Sequence, residues 1–231
     1  MGSWPVDHER VASAATFGQL TPSRRWCYIF KMVAAVTLFP MHVPTSTEEQ
    51  RILLRDVPWS TYVVLRDSVD SPGVRMTYLR GWLEIMSPSR AHEVDKTQIA
   101  RLLELFCLER DIPLYGYGST TFRKEEKERG LEPDECYCRG EDRDVPDFAL
   151  EVVATHGAID KLDVYRGLGV REVWVFEAGA FRIVALRGEA YVAVPKSEVL
   201  PEVDLEQLAR HVSGKDQHAA LRAFRDELRG G

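Results

Sequence analysis

A mixed α/β fold, a central mixed β-sheet flanked by helices, is what the sequence predicts, and three observations predict it. Strand-like and helix-like runs alternate along the chain instead of segregating. Residues 146–153 place Phe148, Leu150 and Val152 on one side and Asp147, Ala149, Glu151 and Val153 on the other, the period of a buried strand. Ile99, Leu102, Leu103 and Phe106 recur at helical spacing within a run over about 90–110. Composition agrees: 231 residues, 45% hydrophobic and 29% charged, exclude a wholly disordered chain. Four cysteines are too few for a disulfide scaffold at this length and read as reduced thiols.

Taken in order, residues 1–44 carry no clear period and read as an N-terminal tail without assigned function. Residues 45–231 form the domain, with its core at about 75–195. Trp26 to Phe39 is apolar but contains Lys31 and falls short of the ~18–20 residues that span a bilayer. Arg24-Arg25 lacks the cleavage pattern of an export signal after it, so the chain is read as cytoplasmic with no membrane partner. Thr47-Glu48-Glu49-Gln50 before Ile52, Leu53, Leu54 and Val57 predicts a short capped helix. Trp59 to Leu65 fits helix or strand, and 67–73 is a loop. Strands at 75–80 and 82–86 flank Gly81 as a hairpin, and Ser87-Pro88-Ser89 then stops the strand and caps the long helix.

Leu114 to Gly118 reads as a strand that 119–122 continues. The charged run 123–132 reads as a solvated loop or hairpin tip. Strands follow at 134–138 and 146–153, then a helix at about 157–166 stopped by Gly167-Leu168-Gly169. A strand at 171–177, the turn Ala178-Gly179, strands at 181–186 and 190–194, and terminal helices at 204–212 and 217–228 complete the chain.

Three charged groups carry the candidate chemistry. Asp134 and Glu151 begin adjacent strand-like segments, so pairing those strands brings two carboxylates within reach of one hard divalent cation. Such a cation polarises a phosphoryl oxygen and lowers the pKa of bound water. Lys161, ten residues on, is placed to orient that water and neutralise the transition state. Asp after Pro is also a common turn residue, and Lys161 alone is an ordinary solvated lysine. Glu151 is different, because a carboxylate among Leu150, Val152 and Val153 is costly unless paired or metal-bound. His92 lies one turn inside the long helix, and Glu84 points either to solvent or toward the site.

These pieces together resemble the Uma-type endonucleases, a widespread bacterial group in the PD-(D/E)xK restriction-endonuclease-like superfamily. The resemblance runs from about Tyr78 to Glu177: Gly81-Trp82-Leu83-Glu84-Ile85-Met86-Ser87-Pro88, His92, Glu132-Pro133-Asp134, Pro146-Asp147 to Glu151-Val152-Val153, Asp160-Lys161 with Tyr165, and Gly169-Val170-Arg171-Glu172-Val173-Trp174. It implies a restriction-endonuclease-like core with an extra N-terminal segment and C-terminal helices. It also implies an endonuclease that hydrolyses phosphodiester bonds in DNA with Mg²⁺ or Mn²⁺. Asp134 and Glu151 would be metal ligands, Lys161 catalytic and His92 supporting. The chain departs from the superfamily pattern at Val153, where a lysine is usual, and that role falls to Lys161. Where the family usually has a serine after Glu-Val, this chain has Ala154-Thr155.

A formal net charge of −6 opposes bulk attraction to nucleic acid, so the expected DNA binding is weak and metal-dependent. The sequence leaves the oligomeric state open, although a nuclease that cuts both strands of a duplex often works as a homodimer. The alternative reading is a catalytically inactive nuclease-like module that binds nucleic acid or protein.

Overall fold

Residues 48–69, 71, 73–212 and 215–230 are described by the structure, a computed structural model, and they lie in the unit Thr45–Gly231. The tail read at 1–44, with Trp26–Phe39 in it, lies outside the described residues. Two sheets form where the sequence suggested one. A six-stranded mixed sheet runs in the order β11 (Ala190–Val194), β10 (Ala180–Arg187), β9 (Glu172–Glu177), β8 (Phe148–Val153), β7 (Glu135–Arg139) and β4 (Leu114–Gly116). An antiparallel sheet runs β1 (Gln50–Leu54), β3 (Trp82–Ser87), β2 (Arg75–Leu79), β6 (Arg129–Leu131), β5 (Phe122–Lys124). The helices are α1 (Trp59–Ser68), α2 (Arg90–Glu109), α3 (Lys161–Leu168), α4 (Leu205–Arg210) and α5 (Gln217–Gly230).

The β8–β9 pair is parallel, and α3 is the crossover that joins it. Both faces of the sheet's central strands β8 and β9 are therefore buried. Phe148, Leu150, Val152, Trp174 and Phe176 pack on one face against Ile99, Leu102, Leu103 and Phe106 of α2 and Phe224 of α5. On the other face Ala149, Val173, Val175 and Val184 pack against Val164, Tyr165 and Leu168 of α3 and Leu131 of β6. The alternation read at 146–153 is thus the division between two cores. A third core sets Tyr62 of α1 on Met76, Tyr78 and Leu83, with the Tyr62 and Tyr78 rings stacked at 4.9 Å.

Four local expectations are corrected, one of them in part. The segment after Thr47 is strand β1, paired antiparallel with β3, because cross-sheet pairing of Arg51 with Met86 and of Leu53 with Glu84 outweighs the local capping signal. The run 123–132 is the hairpin tip expected, with β5 and β6 paired antiparallel and 123–128 exposed, but its last four residues are not solvated. Its β6 is buried, with the Arg129 guanidinium paired to Asp163 and Gly130 under the Tyr62 ring. The helix read from 157 begins at Lys161, because the Asp160 side chain caps the Leu162 amide and 157–160 is loop. The continuation of β4 through 119–122 also fails: β5 belongs to the other sheet.

Two buried acids support the fold. Glu172 accepts from Trp174 Nε1, Ser197 Oγ and the amides of Glu198 and Val199. Asp147 accepts from the Arg139 amide and the Arg143 and Arg171 guanidiniums. Of the two acids on the outer face of β8, Asp147 is accounted for by these bonds, which leaves Glu151.

Candidate active site

The antiparallel register that pairs Glu135 with Leu150 sets Asp134, the residue before β7, level with Glu151 on β8. The two backbones are tied there, because Asp134 Oδ2 accepts from the Val152 amide at 2.8 Å. The crossover then returns α3 over the same strand, and Lys161, the first residue of that helix, reaches back to Glu151 Oε2 at 2.5 Å. Tyr165, one turn on, donates to Glu151 Oε1. His92 Nε2, at the start of α2, donates to Asp134 Oδ1 at 2.9 Å. The structure thus brings all four predicted residues together as two adjacent bonded pairs, His92–Asp134 and Lys161–Glu151. Asp134, Glu151 and His92 keep 1%, 5% and 2% of their surface.

Their environments split the acid pair. Burial alone would raise Asp134, but the His92 hydrogen bond and the Lys161 charge hold it below the ordinary aspartate range. Burial and the Asp134 charge push Glu151 up, against the lowering effect of Lys161 and Tyr165. Burial would lower Lys161, yet Glu151 and Asp134 hold it raised, as an ammonium. One carboxylate is thus held ionised and its neighbour pushed toward protonation, the relation expected of two buried acids set side by side.

Sequence reasoning missed one member of the cluster, Glu49. His92 Nδ1 stands 3.2 Å from Glu49 Oε2, both side chains 1% exposed, with no other partner for either atom among the described residues. Glu49 thus completes a buried chain Glu49–His92–Asp134, with a carboxylate at each ring nitrogen. Burial opposes a charged imidazole here, but Asp134 and Glu49 override it and raise His92 above its ordinary range. Glu49 read as a first-turn acid because the segment read as a helix; as the residue before an edge strand, it turns inward. Thr155, the hydroxyl in the family's usual serine region, donates to Glu49 Oε1. Glu84, left open by the sequence, is buried and accepts from Arg51 at 2.6 Å and from the Ala158 amide at 2.6 Å.

A cleft of about 360 Å³ opens on the cluster, lined by Glu151, Lys161, Tyr165, Glu84, Arg51 and Arg182 among others. Asp134 and His92 lie behind its wall. A larger groove, about 890 Å³, lies between the β10–β11 strands and α4 and holds none of the predicted residues. The donor set fits a hard divalent cation in kind. Mg²⁺ is characteristically held by one or two carboxylates, with water and substrate phosphate completing its shell, and each carboxylate oxygen keeps a second lone pair beside its protein donor. Among the described residues no group of three or more His, Cys, Asp or Glu is placed to hold a metal ion. Cys136 and Cys138 are buried free thiols.

A mixed sheet with acids on adjacent strands and a lysine on the crossover helix is a restriction-endonuclease-like architecture, so the class is that of a nuclease-type hydrolase. Residues 59–214 match the Uma2 family model, described as "Putative restriction endonuclease", and the chain belongs to that family. No curated protein matches it at a significant level. No helix among the described residues is long and apolar enough to cross a membrane.

Proposed function

We propose that the protein is a divalent-metal-dependent endonuclease that hydrolyses phosphodiester bonds in DNA, with Asp134 and Glu151 as ligands of Mg²⁺ or Mn²⁺. The observation that carries this reading is Glu151, bonded to Lys161 on the wall of a cleft, with Asp134 level with it on the adjoining strand. The cation, when bound, supplies a polarised phosphoryl oxygen and a water of lowered pKa. Glu151 faces the cleft and meets the substrate side. His92 and the Val152 amide fix the Asp134 carboxylate in one orientation. Tyr165 holds Glu151 Oε1, leaving rotation of that carboxylate little freedom. Lys161 supplies an ammonium that orients the attacking water and offsets charge on the phosphoryl oxygens. The buried thiols of Cys107, Cys136 and Cys138 suit the reducing cytoplasm.

One observation favours a second reading, a nuclease-like module that binds without turnover: Lys161 already neutralises Glu151, and Asp134 lies behind the cleft wall. The two separate in one experiment. Metal-stripped protein is incubated with supercoiled plasmid and Mg²⁺ or Mn²⁺, beside Glu151→Gln and Asp134→Asn. Cleavage that needs the metal and disappears in Glu151→Gln, with the fold intact by circular dichroism, is the expected result. Cleavage retained in that variant overturns the assignment. DNA binding that survives chelation and Asp134→Asn, with no cleavage, establishes the binding module instead.

A further inference from the structure

The basic side chains that line the cleft are Arg51, His156, Lys161 and Arg182, and the first three are committed. Arg51 bonds Glu49 and Glu84, Lys161 bonds Glu151, and His156 pairs with Glu177. Arg182 is exposed, and among the described residues it makes no ion pair or hydrogen bond. Its position is set by sheet register. Glu151 of β8 pairs with Val175 of β9, and Val175 pairs with Arg182 of β10. Directly paired residues share a face, so Glu151 and Arg182 project from the same side of the sheet. The neighbouring residue on that face of β10, Val184, packs with Ala149 and Val173. Two strand spacings of ~4.8 Å put the Arg182 backbone about 10 Å from that of Glu151. The strand is held firmly, because Ala178 (φ 49°) and Gly179 (φ 82°) form the left-handed pair of a tight two-residue hairpin turn.

We infer that Arg182 binds a backbone phosphate of the substrate one or two nucleotides along the strand from the phosphate that faces Glu151 and Lys161, with that strand crossing β8, β9 and β10. This rests on the nuclease reading above and adds to it the direction of the substrate. A net charge of −6 offers no bulk attraction, so an uncommitted guanidinium on the site face is where a phosphate gains most, by a bidentate contact.

The test is fluorescence anisotropy of a labelled DNA oligonucleotide, with Ca²⁺ in place of Mg²⁺, across a salt series for wild type, Arg182→Ala, Arg182→Lys and Arg187→Ala. Arg187 lies at the far end of β10 and is paired with Glu198. Arg182→Ala is expected to weaken binding about 10-fold and to reduce the log–log salt slope by about one. Arg182→Lys should keep the slope, and Arg187→Ala should match wild type. In cleavage assays Arg182→Ala should raise KM and leave kcat in place. Wild-type binding with an unchanged affinity and slope in Arg182→Ala overturns the inference alone. An equal loss in Arg187→Ala also overturns it, since only bulk charge would then be at work. Absence of binding and of cleavage by wild type overturns both the inference and the nuclease reading.

Discussion

Replacing Lys161 by Met tests whether the cluster is an interacting unit. At 2.5 Å and an effective dielectric of ~20, the Coulomb attraction between Lys161 and Glu151 is about 7 kcal/mol. Desolvating both groups offsets roughly half of that, so the loss on removing the ammonium is about 3–4 kcal/mol, the range for breaking one side of a buried pair. The Lys161 side chain keeps 22% of its surface against 6% for Glu151, so the cost falls mainly on the carboxylate left behind. That carboxylate has an escape, because it can protonate. Glu151 already titrates above its ordinary range, and loss of Lys161 removes a group that lowers it. Stability contributed by a raised acid is present below its unfolded pKa and lost as pH rises through the folded one. The Lys161→Met penalty is therefore expected to be larger at pH 7.5 than at pH 5. The assay is urea unfolding of wild type, Lys161→Met, Glu151→Gln and the double variant. An interaction energy of about 2–3 kcal/mol is expected from the cycle. A coupling near zero, or a larger loss at pH 5, would refute the reasoning.

His92→Gln removes the donor between two buried carboxylates and should cost about 2–3 kcal/mol at pH 6. Because His92 is raised in the fold, the wild-type advantage is complete below the ordinary histidine pKa and drains as pH rises through the folded value; unfolding midpoints from pH 5.5 to 9 check this, and an advantage that grows with pH contradicts it. Glu172→Gln disrupts a four-donor acceptor site and should lower stability by about 3 kcal/mol, while cleavage by the folded variant stays at the wild-type rate; a selective loss of cleavage would move Glu172 into the site. Gly130→Ala places a methyl against Tyr62 ring carbons 2.8 Å away and should cost about 2–3 kcal/mol. Gly140→Ala, at φ 84° with open space around it, should cost only about 1 kcal/mol, and calorimetry of the pair separates packing from backbone strain.

Much of the site was legible locally. A lone acid in the apolar strand 148–153 signals a group that needs a partner, and Glu151 has two. The Pro-Asp dipeptide before β7 and the lysine after an Asp cap also stand at element boundaries, where side chains escape the sheet and helix interiors. Glu49 and Arg182 were not legible. Glu49 sits among polar residues that signal a helix cap, and its burial depends on β1 joining an edge 30 residues away in sequence, at β3. Arg182 has the pattern of an ordinary outward residue in a hairpin, and only the β8–β9–β10 register places it on the site face.

The number of sheets shows the same division. Period and turn residues in the sequence by itself determined the mixed α/β class, the long helix, the strand 148–153 with its two faces, and the stop at Gly169. These depend on contacts within a few residues, or on which side of one element is apolar. Only the tertiary structure decided that the 75–87 hairpin joins β1, β5 and β6 in a separate sheet, and that 129–132 is buried. It also decided that Glu49, His92 and Asp134 form one chain. Those outcomes turn on pairing between segments distant in sequence, where register and burial outweigh local preference by more than capping or charge patterning contributes.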